Sequence, residues 1–284
     1  MRSLAKHAFK LLLTLLLGGF LAATLVRFAP GFGVDEEQID VRLNSQSIEA
    51  LARQRQERLG AFYLHYCERL LHGDFGDSRT LQRPVAQLIA ERMPETLKSV
   101  GLGLLFAWTL GLSLSCLTVM ARSATLETTV GIFCGALLCV PAAMMAVLFV
   151  LARAPERLVL GVVVFPKIYS YCRSLLMRSV DQPHVLAARA KGIGTMRVLF
   201  SHVLRPAAPQ LLAVLGVSAS LAFTAAIPIE ALCDLPGVGQ LAWKAALGRD
   251  LYLLVTLTVL VTAVTLVANS TCELLGNAIT ARRA

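Results

Sequence analysis

Apolar positions in this chain come in blocks far longer than a soluble core needs. Six stretches stand out: Leu11–Ala29, Leu97–Met120, Thr128–Ala152, Leu158–Leu176, Gln210–Leu232 and Leu251–Ile279. A helix crosses a bilayer with about 20 mostly apolar residues, so each block predicts a span. The fourth is the weakest, interrupted by Pro166 and Lys167. The pattern predicts an all-α polytopic membrane protein of about six transmembrane helices. It divides into a tail and first helix over 1–29, a polar but patterned helical segment over 30–95, and a membrane core over 96–284.

The polar segment between the first two spans carries its own helical spacing. In "SIEALARQRQERLG", Ile48, Leu51, Ala52, Arg55 and Leu59 share one face, and Gly60 is a natural stop. In "FYLHYCERLLHG", Phe62, Tyr63, Tyr66 and Leu70 repeat the pattern up to Gly73. "LLHGDFGDS" has the composition of a turn. "VAQLIAERM" leads into the second span, with Pro94 marking a boundary. Such a segment is either a small extracytoplasmic cap or a set of interfacial helices anchored by aromatics.

Composition agrees with the spans: 56% of the 284 residues are hydrophobic and 16% charged, with mean hydropathy +0.66. A soluble domain carries about a quarter charged residues. The basic start "MRSLAKHAFK" and the leucine run after it also describe a signal peptide. The apolar run is longer than a usual signal core, and "ATLVRFAPG" offers no convincing small-x-small cleavage site. An uncleaved first helix is expected.

Charge sets the expected orientation, because short cytoplasmic loops collect Lys and Arg. Arg2, Lys6, Lys10, Arg122, the basic residues between spans four and five, Arg282 and Arg283 fall on one side. Only Arg153, Arg157, Lys244 and Arg249 fall in short loops on the other. Both termini are therefore expected in the cytoplasm, and topology accounts for the net charge of +9 without nucleic acid.

The chain lacks a G-x-x-x-x-G-K-[ST] phosphate loop, an H-E-x-x-H and a G-x-S-x-G. No catalytic, cofactor or metal-ligating residue is expected. The seven cysteines lie mostly in or beside spans; Cys67 and Cys233 would share the outer side. Within the spans, Lys167 and Glu273 are the ionisable residues that stand out as candidates for an ion path. Gly101, Gly103, Gly111, Gly131 and Gly135 are expected to let helices pack closely.

The segment 178–206, "VLAARAKGIGTMRVLFSHVLRP" at its centre, is charged and yet lies between apolar blocks. "HVLAARAK" favours a helix ending at Gly192. Beyond Gly194, Thr195 can cap a second helix, with Met196, Leu199, Phe200, Val203 and Leu204 as an apolar stripe leading to Pro206. That second helix could lie among lipid headgroups. The alanines of the first suit close approach of another protein surface.

At these residues the chain resembles the inner-membrane permease subunits of ABC importers, in their dipeptide, oligopeptide and nickel branch. "LAARAKG" matches the family's cytoplasmic loop, with Leu186 where the general consensus has Glu. "GDFGDS", "PVAQLIAERMPETL" and "IPIEALCDLPGVGQLAWKAALGRDLYLL" are similar to family segments in the same order. Three departures stand beside these: "APGFGVDEE" lacks the usual G-D-P, "ARAPER" is a short connection, and "TARRA" lacks the D-P-R ending.

The resemblance implies a multi-pass protein of the bacterial inner membrane that forms half of a substrate pathway. Implied partners are a second homologous permease subunit, two ATPase subunits, an extracytoplasmic substrate-binding protein and membrane lipid. ATP and Mg would bind the ATPase subunits, with no cofactor in this chain. The ATPase-coupling residues would be Ala187, Ala188, Arg189, Ala190, Lys191, Gly192, Gly194 and Phe200. Pro236, Gly237 and Gly239 would form an outer-face turn. Peptide is the expected substrate. An ion-gradient-driven secondary transporter and a non-transporting membrane scaffold are the other readings the residues allow.

Overall fold

The computed structural model describes residues 2–28, 59–78, 80–248 and 250–281. Its helices are α1 (Arg2–Phe28), α2 (Leu59–Leu71), α3 (Val85–Ala121), α4 (Ala124–Cys139), α5 (Ala142–Leu151), α6 (Val159–Val180) and α7 (Pro183–Ala190). They continue with α8 (Thr195–Leu232), α9 (Val238–Leu247) and α10 (Leu251–Ala281). A two-residue antiparallel ribbon, β1 (Asp77–Ser78) with β2 (Arg83–Pro84), interrupts the all-α plan. The helix expected over residues 47–58 lies outside the described residues.

Among the described residues, four helices are long and apolar enough to cross a membrane, α3, α6, α8 and α10, with a fifth span if the bent pair α4 and α5 is counted as one. The apolar part of α1, Leu11–Leu25, is shorter. The span expected over Thr128–Ala152 is instead a pair, α4 and α5, bent by 95°. Pro141 is the cause. It pushes the preceding residue out of the helical region, and Val140 sits at φ −85°, ψ 120°.

Two other prolines break nothing. Pro94, expected at a boundary, lies inside α3, and Pro206 lies inside the continuous run of α8. Pro94 falls instead where the chain divides into two compact units, Met1–Met93 with Leu241–Ala263 and Pro94–Gln240 with Val264–Ala284.

In the larger unit, α3 crosses α6 on a stripe of small residues. Gly103, Ala107, Gly111 and Ser115 recur every four positions and all are buried. A methyl on Gly111 would lie 3.0 Å from Ile168 Cγ2 and 3.1 Å from Tyr169 N, and one on Gly103 would overlap Leu160. Ser115 Oγ donates to Tyr169 O at 3.0 Å. Small residues at this spacing let backbones approach where the hydrophobic effect gives no drive, because lipid is as apolar as the partner helix. Gly101, Gly131 and Gly135, expected to act likewise, meet nothing within 4 Å.

The weak hydropathy of α6 now has a reason. In its most apolar window 56% of residues are buried in protein, against 28% for α3 and α10. The buried residues of α6 are the apolar ones, whereas Lys167, Ser170, Ser174 and Arg178 are exposed, so the low hydropathy comes from a polar face outside that packing.

In the smaller unit Tyr63 and Tyr66 of α2 face inward. Tyr63 and Tyr66 are buried in a cluster with Ala23, Val255 and Val259. Tyr63 OH donates to Leu16 O at 2.7 Å and Tyr66 OH donates to Thr256 Oγ1 at 3.1 Å. These rings therefore staple α2 to α1 and α10 and are not headgroup anchors. The turn after α2 closes as its composition implies, with Gly73 at φ 77° and Gly76 at φ 74°. Gly60, expected to stop a helix, lies within α2.

Candidate functional site

Two local structures sit at the ends of α8, and both belong to the larger unit. At the start, the segment after α6 folds as the short helix α7, a corner, and the first turns of α8. Pro183 occupies the first turn of α7, where its missing N–H costs nothing. The helix ends in a Schellman motif: Ile193 N–H donates to Ala188 O at 3.3 Å and Gly192 N–H to Arg189 O at 2.9 Å. Gly192 takes φ 75°, which glycine adopts without penalty. Gly194 occupies the cap of the second helix, the place Thr195 was expected to take. Its φ −58° and ψ 145° are open to any residue.

The corner rests on its own core. Val185, Ala188, Val198, Leu199 and Val203 pack with Val119 of α3 and Leu176 and Val180 of α6, and Ile193 covers the edge. The expected apolar stripe is thereby split. Leu199 and Val203 are buried, whereas Met196 and Phe200 are 71% and 63% exposed. Phe200 lies within a π-helical stretch over Val198–Leu204, whose wider turns depart from a 3.6-residue period.

A histidine bond locks the two helices. Pro206 has no N–H to give the carbonyl four residues back, which is that of His202. His184 of α7 donates its Nε2–H to this oxygen at 3.0 Å. Among the sequence-predicted residues, Ala188 is buried in the corner's own core. Ala187, Ala190, Lys191, Gly192 and Gly194 are exposed, and Arg189 is half-buried. Leu186, 51% exposed, joins Met196 and Phe200 as an outward apolar side chain that the sequence reading had not assigned.

At the far end of α8, the turn "LPGVG" wraps a carboxylate. Glu230 is 1% exposed. Its Oε2 accepts Gly239 N–H at 2.7 Å and Thr96 Oγ1–H at 3.1 Å. Thr96 Oγ1 in turn accepts Val238 N–H at 2.7 Å. The Glu230 backbone carbonyl takes Leu235 N–H at 3.0 Å. Pro236 is exposed, and Gly237 and Gly239 are buried. A methyl at Gly237 would overlap the carboxylate, and one at Gly239 would stand 2.7 Å from Ile227 Cα. The glycines of this turn are thus required by the carboxylate they surround.

Glu230 and Thr96 were missed in the sequence, where Lys167 and Glu273 alone were singled out among in-span ionisable residues. Both of those are exposed, whereas Glu230 is the buried one. The available signal was an acidic residue inside the fifth apolar block, seven positions before Gly237. Neither Cys67 nor Cys233 is in a disulfide.

Residues 100–284, well over half of the chain, match the family described as binding-protein-dependent transport system inner membrane component. The chain is 28% identical to the oligopeptide transport system permease protein OppB of Salmonella typhimurium, over 71% of this chain and 72% of that protein. It is 27% identical to OppB of Escherichia coli K12 over the same shares. The OppB of Haemophilus influenzae aligns over 95% of this chain and 96% of its own length at 27% identity. With its long apolar helices and the structured corner ahead of α8, the chain belongs to the family of binding-protein-dependent transport system inner-membrane components, as a multi-pass ABC-importer permease subunit.

Proposed function

We propose that this permease carries peptides and works as one half of a pathway completed by a second, homologous permease subunit. Two ATPase subunits would bind ATP and Mg, and an extracytoplasmic binding protein would deliver the substrate. Both termini would lie in the cytoplasm, on the side of the α7–α8 corner, with the Glu230 turn at the outer face. The peptide assignment rests on the relatives' printed substrate, and orientation on the distribution of Lys and Arg.

The observation that carries the coupling role is the corner's two-sided build. Its inner side is packed into α3 and α6, while Leu186, Met196 and Phe200 face outward. Covering such a side chain is worth about 1.5–3 kcal/mol, and the matching cleft would belong to an ATPase subunit. Ala187, Ala190, Lys191 and Arg189 border this face, and Gly192 fixes its angle. When ATP draws the two ATPase subunits together, the corners would move with them. The attached α8 would then turn the pathway from inward to outward facing as a rigid-body transition.

The test is co-expression with candidate ATPase, permease and binding-protein subunits, followed by reconstitution in liposomes. The expected result is a stable complex whose ATP hydrolysis rises with peptide-loaded binding protein and which accumulates labelled peptide. Uptake that survives without ATP and collapses with the ion gradient would overturn the reading. Uptake of nickel chelates in place of peptide would overturn the substrate assignment alone.

A further inference from the structure

The Glu230 clasp has a feature that packing alone does not explain. A carboxylate buried in an apolar helix bundle is costly, and an apolar side chain of similar size fills such a site more cheaply. What the carboxylate supplies is acceptor capacity, and it is spent on Thr96 and on a backbone N–H of the turn. Oε1 is buried with no partner among the described residues. Two residues earlier, Pro228 lies inside α8, where it removes a backbone donor and weakens the helix. The last turn of α8 is therefore loosened by Pro228 and then refastened by Glu230 to α3 and to the start of α9.

The same helix begins at the α7–α8 corner. From Thr195 to Leu232 it is one continuous run of 38 residues, roughly 55 Å at the rise of an α-helix. We infer that Glu230 is the positioning residue through which α8 carries movement of the corner to the outer turn. Thr96 is its relay, because one hydroxyl donates to Glu230 and accepts Val238 N–H. Without the carboxylate, α8 would still move with the corner while Gly237 and Gly239 would no longer follow. This inference rests on the proposed coupling role of the corner.

The experiment uses the full reconstituted complex and reads basal ATP hydrolysis, its stimulation by loaded binding protein, and transport per ATP. Glu230→Ala and Thr96→Val should keep basal hydrolysis within about twofold of wild type. Stimulation and transport per ATP should each fall about tenfold or more. Glu230→Gln should be intermediate, since an amide oxygen still accepts one of the bonds. Thr96→Ser should restore coupling, because it keeps the hydroxyl. Should Glu230→Ala fail to assemble, Glu230→Gln and the Thr96 pair still decide the matter.

Wild-type transport per ATP in Glu230→Gln and Thr96→Val would overturn the inference. So would losses that merely track the amount of assembled complex, or a Thr96→Ser no better than Thr96→Val. If the wild-type chain itself forms no stimulated complex, it is the coupling role that fails, and the clasp is not what sank it.

Discussion

Gly237 approaches Glu230 so closely that an alanine methyl at 237 would overlap the buried carboxylate. A side chain forced into a filled site costs about 1–3 kcal/mol. Gly237→Ala is therefore expected to lower the thermal midpoint of the detergent-purified protein, and Gly239→Ala to do the same against Ile227. Gly101→Ala, which meets nothing within 4 Å, is the control and should leave the midpoint where it is. Equal midpoints for all three would contradict the clasp geometry.

The α3–α6 crossing makes a parallel case. Gly111→Val must displace Ile168 and the backbone at Tyr169, again at about 1–3 kcal/mol. Gly135→Val on α4 points into open space and should be tolerated. Folded yield and thermal midpoint separate the two variants.

Ala188 and Leu186 are neighbours in sequence with opposite roles. Ala188→Asp buries a charge in the corner's own core and should unfold the corner, so lost ATPase binding would say nothing of docking. Leu186→Asp and Phe200→Asp change exposed positions. They should change stability by no more than about 0.5 kcal/mol while abolishing co-purification with the ATPase subunits. Retained co-purification in the Leu186→Asp, Phe200→Asp double variant would remove the docking face.

Gly192 stands at φ 75°, where a residue with a Cβ loses about 1–2 kcal/mol. Gly192→Ala should destabilise the corner by that amount, and Gly194→Ala, at a φ any residue adopts, by far less. Hydrogen exchange of the Ile193 amide, which closes the helix on Ala188, would report the difference.

Acid should loosen the turn after α2. Gly76 N–H and the Arg69 guanidinium hold the Asp74 carboxyl below the usual carboxylate range. Because the folded value lies below the unfolded one, the bond contributes fully above the ordinary range. It is lost as pH falls through the lowered value. Asp74→Asn should make the 72–76 turn cleavable by protease near neutral pH. Wild type should reach the same cleavage rate only in acid.

Much was legible in the sequence because it is local. Span length follows from the count of apolar residues, the corner from "LAARAKG", and the stop at Gly192 from glycine's freedom at positive φ. The family follows from several such segments in order. What the sequence left open concerns direction and distance. Periodicity gives a helix a face but assumes a 3.6-residue turn, which the π stretch at Val198–Leu204 does not keep, and it does not say which side of the stripe is covered. Hydropathy treats lipid and protein alike, so it could not separate Gly103 and Gly111, packed on α6, from Gly131 and Gly135, which meet nothing. Pro94 reads as a boundary and lies inside a helix, whereas Pro141, inside an expected span, is where the chain bends. Thr96 and Glu230 lie 134 positions apart. Only tertiary structure could bring that hydroxyl to that carboxylate, because no local propensity records a hydrogen bond made across the fold.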